Sequence, residues 1–403
     1  MSSKGETILI KGMEVFREQG VIPNGYVKIK DERIIGVGSC EDLSNENDCR
    51  VIELSSSYKA IPGFIDLHIH GVNGADVMDA TIEALDLMAT SLPSEGTTSF
   101  LATTITQSIP SIEKALVNAG SYQQQQVPGK AEVVGIHLEG PFVNTKRAGA
   151  QPLKFMIDPD LVLFDKWQQL SKGTIKMVTL APELTGGLEL VHYLSENNII
   201  ASIGHSDATF SEAVAAIENG VTQATHLYNQ MRGLHHREPG VVGAVLLSES
   251  VKAEIIADGI HVRPEMIKLA YKVKGSDGTI LITDSMRAKC LKNGIYDLGG
   301  QDVYVTDEKA VLKDGTLAGS ILKLGNAFKN IISFTDCSIH EAIAMAAVNP
   351  AKQLKMYDRK GSLTVGKDAD IVILDENLDV YMTYCRGVEA FCKGGNSGEY
   401  SDH

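Results

Sequence analysis

Hydrophobic and polar positions follow two different periods along this chain. Over residues 1–60 the apolar positions fall in short, strand-like runs. Thr7-Ile8-Leu9-Ile10 ends at Gly12, Tyr26-Val27-Lys28-Ile29-Lys30 alternates from side to side, and Asp31-Glu32 leads into Arg33-Ile34-Ile35-Gly36-Val37. Alternating runs joined by two polar residues predict a β-hairpin. The same style returns near the other end, in Ala369-Asp370-Ile371-Val372-Ile373-Leu374, Val380-Tyr381-Met382-Thr383-Tyr384 and Ala390-Phe391-Cys392. Neither group has enough apolar surface to bury a core alone. The two ends are therefore expected to pair as one small β-sandwich, with residues 1–60 as its N-terminal part. Residues 361–403 supply its C-terminal part and a flexible tail, Gly394-Gly395-Asn396-Ser397-Gly398.

Residues 61–360 have a different rhythm. Apolar strand candidates occur at 64–70, 98–103, 133–139, 175–181, 199–205, 222–226, 253–258 and 280–284. Most gaps hold a helix-length amphipathic stretch, such as 208–219 and 264–273. Strands alternating with helical crossovers, eight times over, predict an α/β fold of the (β/α)8, TIM-like barrel type rather than an open doubly wound sheet. No dinucleotide-binding G-x-G-x-x-G follows the first strand, which weakens the open sheet further.

Composition narrows the function classes. The 403 residues are 43% hydrophobic and 22% charged, as in a soluble globular protein. A net charge of −14 argues against nucleic acid as a partner. An anionic small molecule stays open, because a pocket needs only a local cation or two. Cys40, Cys49, Cys290, Cys337, Cys385 and Cys392 form no C-x-x-C pair, and residues 1–6 lack the apolar core of a secretion signal. No run of roughly 18 apolar residues suggests a membrane span. Free thiols in a reducing cytoplasm are expected.

The strongest chemical signal is Pro62-Gly63-Phe64-Ile65-Asp66-Leu67-His68-Ile69-His70-Gly71. Alternation along a strand puts Asp66, His68 and His70 on one face and Ile65, Leu67 and Ile69 on the other. Two imidazoles at i and i+2, running into a glycine at the strand end, can converge on a divalent cation. Barrel active sites are built from strand ends at the C-terminal mouth. There the sequence puts His68, His70, Glu139, His205, His226, Asp258 and Asp284. Glu139, ending Val133-Val134-Gly135-Ile136-His137-Leu138-Glu139-Gly140-Pro141, can serve one cation or bridge two. His137 lies one layer deeper, where a supporting or packing role fits better than ligation. Asp284 beside a cation would stay ionised and could move a proton to and from reacting groups, and it could also cap a helix at Ser285-Met286. Arg237, in Leu234-His235-His236-Arg237-Glu238-Pro239-Gly240, and His261, beyond the seventh strand, suit a bound anion. No Gly-x-Ser-x-Gly elbow points to a serine hydrolase.

The ordered set of motifs resembles the N-acetylglucosamine-6-phosphate deacetylase family of the amidohydrolase superfamily. It comprises the first-strand segment with Gly-Ile-His-Leu-Glu-Gly-Pro-Phe, Ile-Gly-His-Ser, Thr-His-Leu-Tyr-Asn, His-Arg-Glu-Pro-Gly, Ala-Asp-Gly-Ile-His-Val and Thr-Asp-Ser-Met. The match continues to Asp370 and so covers nearly the whole chain. The resemblance implies metal-dependent hydrolysis of N-acetyl-D-glucosamine 6-phosphate to D-glucosamine 6-phosphate and acetate, in amino-sugar and carbohydrate metabolism. It carries metal ligation onto Glu139, His205 and His226 and the acid–base role onto Asp284. Because His68 and His70 are both present, the chain looks like the two-metal kind, with Glu139 bridging. The family's substrate contacts fall on Arg237 and His261, with Asn229 and Gln230 near the sugar and Leu317, Ala318 and Gly319 in a further loop. In similar enzymes the arginine comes from the neighbouring subunit, which implies a homodimer. One departure is Gln151, after Ala150, where some members carry a histidine near the acetamide.

Two rivals remain at this level. One is another metal-dependent amidohydrolase, such as a cyclic amidase or an aminoacylase. The other is a non-catalytic barrel scaffold. Mixed nitrogen and oxygen ligands suit Zn, Fe, Co or Mn, one or two per subunit.

Overall fold

The structure is a computed structural model and describes residues 6–43 and 49–394. The expected tail from Gly395 onward, and residues 1–5 of the segment examined for a secretion signal, lie outside the described residues. Eight parallel strands form the barrel: β1 (Phe64–Ile69), β2 (Thr97–Thr103), β3 (Glu132–Glu139), β4 (Ile175–Leu180), β5 (Ile200–Ile203), β6 (Val221–Ala224), β7 (Lys252–Ile256) and β8 (Thr279–Ile282). Each pairs with the next in chain order. Closure between β8 and β1 runs through a parallel bridge of Ile69 with Ser285. There Asp284 N–H donates to the His68 carbonyl at 2.8 Å, and His70 N–H to the Ser285 carbonyl at 2.9 Å. A helix follows every strand, from Ile82–Ser91 after β1 to Leu324–Thr335 after β8. The stretch expected at 208–219 is the helix Phe210–Glu218, started by a reciprocal cap between Thr209 and Glu212.

β1, β2 and β3 are buried along their whole length. A barrel strand packs helices on one face and the lumen on the other, so its residues see no water on either side. The lumen here is polar as well as packed. Thr283 donates to Asp66 at 2.6 Å, and hydroxyl pairs link Thr179 to Thr225 at 2.7 Å and Ser202 to Thr225 at 2.6 Å. Pairing is what makes such burial tolerable.

The chain ends join in a separate eight-stranded sheet, as the sequence implies. Its order is Val388–Cys392, Val380–Cys385, Ile371–Leu374, Lys59–Pro62, Thr7–Arg17, Gly20–Lys30 and Arg33–Ser39, with Cys49–Glu53 also on Thr7–Arg17. The strand expected to stop at Gly12 instead runs through it. Up to Lys11 it pairs with Cys49–Glu53, and from Glu14 with Lys59 and Ala60. Gly12 has φ 96°, and a Cβ there would lie 2.1 Å from the Leu54 carbonyl oxygen. Only glycine lets the strand bend and change partners at this point. The sheet thereby folds over a core of its own, with Ile8, Ile10 and Val27 against Ile371, Ile373 and Tyr384.

A third sheet, Gly294–Leu298, Gln301–Val305 and Ala310–Val311, follows β8 and has no counterpart in the sequence expectations. Its hairpin turns at Gly299 and Gly300, with φ of 60° and 78°. A Gly-Gly pair between alternating runs is a legible hairpin signal. Cys40, Cys290, Cys337, Cys385 and Cys392 are free thiols. Among the described residues no helix is long and apolar enough to cross a membrane.

Candidate active site and metal centre

The pleat of β1 turns Asp66 and His68 into the lumen, and His70 follows at the strand end. Asp66 accepts from the His68 backbone N–H at 3.1 Å, which fixes where that histidine leaves the strand. Burial raises the Asp66 carboxyl to about 6. Strands β5, β6 and β8 end at Ile203, Ala224 and Ile282, and His205, His226 and Asp284 follow two positions later. All three have left-handed backbone, with φ of 47°, 32° and 49°. Non-glycine residues seldom adopt that conformation, and three at equivalent places mark a functional rim. The left-handed turn ends each ladder and leaves its side chain at the mouth. Asp284 caps no helix. Ser285 continues instead as a bridge between Ile69 and Ser320.

Glu139, at the end of β3, is the centre of the arrangement. Its Oε1 lies 3.2 Å from Nε2 of His205, 3.2 Å from Nε2 of His226 and 3.5 Å from Nε2 of His68. Its Oε2 lies 3.3 Å from Nε2 of His70 and accepts from Gln151 Nε2 at 2.8 Å. Asp284 Oδ1 is 3.4 Å from His68 Nε2 and 3.2 Å from His70 Nε2. Two groups with metal-ligand geometry result: His68, His70 and Asp284, and Glu139, His205 and His226, all buried.

The donor chemistry fits divalent cations. His205 Nδ1 lies 2.8 Å from the Arg147 carbonyl, which can only accept, so that nitrogen carries the proton. The His205 Nε2 lone pair then faces the Glu139 carboxylate and stands 3.1 Å from His226 Nε2. Among the described residues His68 Nε2 is buried with no hydrogen-bond partner. Lone pairs crowded against a carboxylate call for a positive centre among them. Burial works against protonation of His68 and His70, yet Asp284 and Glu139 hold His68 well above the usual imidazole range and bring His70 to about 9. The same carboxylates would favour a metal cation. Burial also works to raise Glu139 and Asp284, but the imidazoles keep Glu139 well below the usual carboxylate range and Asp284 at about 2.

Above these groups lies a narrow cleft that opens to solvent. Ala150, Gln151, Asn229, Gln230, His261, Leu317 and Gly319 line it together with the ligand-type residues. Ala318, between the last two, turns into the apolar core under the third sheet. Gln151 is held at both ends, because its Oε1 accepts from the Thr106 backbone N–H at 2.9 Å. Asp258 stands outside both metal-type groups. Its carboxylate holds His261, with Oδ2 2.6 Å from Nδ1, and this contact raises the His261 pKa against the effect of burial. His137 lies between Thr103 and Thr179, its Nε2 2.7 Å from the Thr179 hydroxyl. Burial, with His68 close by, pushes it well below the usual imidazole range. Arg237 is exposed and does not reach the cavity of its own chain. Its guanidinium donates to His236 Nε2 at 2.7 Å.

Three contributors escaped the sequence reading. Glu254, in the middle of β7, lies 3.3 Å from His68 Nδ1. Its signal was a single carboxylate inside the short apolar run Ala253-Glu254-Ile255-Ile256. Ile105 and Leu298 supply apolar cavity wall. Leu298 comes from the third sheet, whose glycine pair was the available clue.

The amidohydrolase family matches residues 60–390 of the chain. An N-acetylglucosamine-6-phosphate deacetylase of Bacillus subtilis is 50% identical over 388 residues, covering 96% of this chain and 98% of the relative. The crystal structure of the Thermotoga maritima enzyme of that name is 36% identical and superposes with a TM-score of 0.86, covering 96% of this chain and all of that one. A mutant of the Mycobacterium smegmatis enzyme, in complex with N-acetyl-D-glucosamine 6-phosphate, is 29% identical with a TM-score of 0.89 over the same shares.

Proposed function

The chain belongs to the amidohydrolase family and, within it, to the N-acetylglucosamine-6-phosphate deacetylases, and from that premise we propose that it hydrolyses N-acetyl-D-glucosamine 6-phosphate to D-glucosamine 6-phosphate and acetate. The reaction belongs to amino-sugar catabolism. The observation that carries this reading is Glu139, a buried carboxylate shared by four imidazoles at the mouth of the barrel.

We assign His68, His70 and Asp284 to one divalent cation and His205 and His226 to a second, with Glu139 between them. Zn, Fe, Co and Mn all suit this donor set. A bound cation supplies Lewis acidity toward water and toward the acetyl carbonyl. Asp284, ionised at neutral pH, takes the proton from the water that attacks the acetyl carbon. It returns that proton to the amide nitrogen as the C–N bond breaks, so that the amine leaves neutral with acetic acid, which gives up its remaining proton to the amine or to solvent and becomes acetate. Gln151 steadies Glu139 with one amide N–H, and its second N–H is the donor we assign to the acetyl oxygen. His261, backed by Asp258, meets the phosphate, with Asn229 and Gln230 beside the sugar and Ala150, Leu317 and Gly319 forming the wall; Ala318, turned into the core, supports that wall from behind. Arg237 completes the anion site from the partner subunit of a homodimer, which accounts for its position outside its own cavity. The free thiols of Cys40, Cys290, Cys337, Cys385 and Cys392 support a cytoplasmic location.

Acetate release from N-acetyl-D-glucosamine 6-phosphate and from the unphosphorylated sugar, by enzyme loaded with each of the four metals, tests this reading. Strong preference for the phosphate ester is expected. Equal rates would favour another amidohydrolase activity, and inactivity with all four metals would favour a scaffold.

A further inference from the structure

Beneath the ligand layer lies a carboxylate that the mechanism leaves unused. Glu254 projects from β7 into the lumen and is completely buried. A buried carboxylate gives up its hydration, so its oxygens need donors. Oε1 accepts from Gln223 Nε2 at 2.6 Å. Oε2 accepts from the His226 backbone N–H at 3.2 Å and faces His68 Nδ1 at 3.3 Å. Among the described residues no lysine or arginine pairs with it, and His68 is its single ion-pair partner.

These contacts reach both metal-type groups at once. One is to the ring of His68, and the other is to the peptide of His226, where φ is 32°. A carboxylate oxygen can only accept, so Nδ1 of His68 carries the proton in that contact. Nε2 is then the free nitrogen, and it is this atom that points between Glu139 and Asp284. An imidazole tied to a carboxylate through its far nitrogen has a fixed tautomer and ring angle and is a stronger metal donor.

The geometry points to Glu254 as a positioning residue that tunes the cation site of His68, His70 and Asp284 and keeps it in register with the site of His205 and His226. This rests on the two-site reading above. Co(II) titrated into chelator-stripped protein, read as bound equivalents and their affinities alongside thermal unfolding, tests it. Wild type is expected to take two equivalents. In Glu254→Gln one equivalent should weaken by about 10–100-fold and the other by no more than about threefold. His68→Asn should weaken the same equivalent, and the double variant should fall no further than His68→Asn alone, because the two residues act through one ring. Glu254→Asp, which keeps the charge, should lie between wild type and Glu254→Gln and serves if the latter fails to fold. Unchanged affinities in the variants overturn the inference. Equal weakening of both equivalents with a lowered unfolding temperature also overturns it, in favour of a structural role. A wild type that takes fewer than two equivalents overturns the two-site reading itself, and the inference with it.

Discussion

Strand β3 begins at Glu132, on the floor of the barrel, and ends at Glu139, at its mouth. Both carboxylates are buried, and cationic neighbours hold both below their usual pKa against the effect of burial. Their partners differ in kind. Glu132 meets Lys360 at 2.7 Å and Arg359 at 2.8 Å, and Lys360 also contacts Asp368 at 3.3 Å and Asp370. These are permanent opposite charges that complete one another within the protein, where the barrel meets the sheet of the chain ends. Among the described residues Glu139 meets only imidazoles and the Gln151 amide, and two imidazole nitrogens face each other at 3.1 Å. A cluster complete in itself supports the fold. One whose positive charge sits on titratable rings is open to being completed from outside, and that openness is what a metal site requires.

The comparison can be pressed at several points, beginning with the mouth. Asp284→Asn should lower the turnover of N-acetyl-D-glucosamine 6-phosphate by roughly 10²–10⁴-fold in protein that still unfolds cooperatively in urea. A largely active variant refutes the proton transfer assigned to Asp284. At the floor, Lys360→Met leaves three carboxylates without their shared cation. Urea unfolding should show a loss of about 3–5 kcal/mol, with turnover per folded molecule unchanged. If turnover falls with stability, the two ends of β3 are not independent.

Chelation should act on the mouth alone. Metal present at about 100-fold over its dissociation constant stabilises by roughly 2.7 kcal/mol, so thermal unfolding should move down when it is stripped. A protein carrying both His68→Asn and His205→Asn should lose most of that response. Arg237→Ala should raise KM for the phosphorylated substrate with little change in kcat, worth about 1.5–3 kcal/mol for a charged hydrogen bond. The unphosphorylated sugar should not register the change.

The smallest expected effect concerns a charge with neither kind of completion. Lys274 donates to the carbonyls of Val245, at 3.1 Å, and Ser248. Burial, with Lys252 nearby, lowers its pKa from the ordinary 10.5 to about 8. Between those values the unfolded chain holds the proton that the folded chain has released, so stability should rise with pH across that window. Lys274→Met should flatten the rise in unfolding curves taken from pH 8 to pH 10.5.

Much of the mouth was legible in the sequence, because it obeys local rules. A period of two put His68 and His70 on one face, and the ends of apolar runs picked out Glu139, His205, His226 and Asp284. Glu254 was not legible. A carboxylate in a five-residue strand looks like a solvent-facing position until the barrel closes and turns that face inward. The continuation of Thr7–Arg17 through Gly12 was missed for a related reason, since the partner strands that hold it lie elsewhere in the chain.

Which side chains stand at strand ends is therefore written in the local order of apolar residues, glycines and polar punctuation. How far apart those side chains are, which oxygen of Glu139 each imidazole meets, and whether Arg237 serves its own cavity depend on closure of eight strands into a ring. The bonds that fix these relations join distant parts of the chain, as between Asp66 and Thr283, 217 residues apart. No periodicity in the sequence encodes a distance across that gap, and only packing the whole barrel sets it.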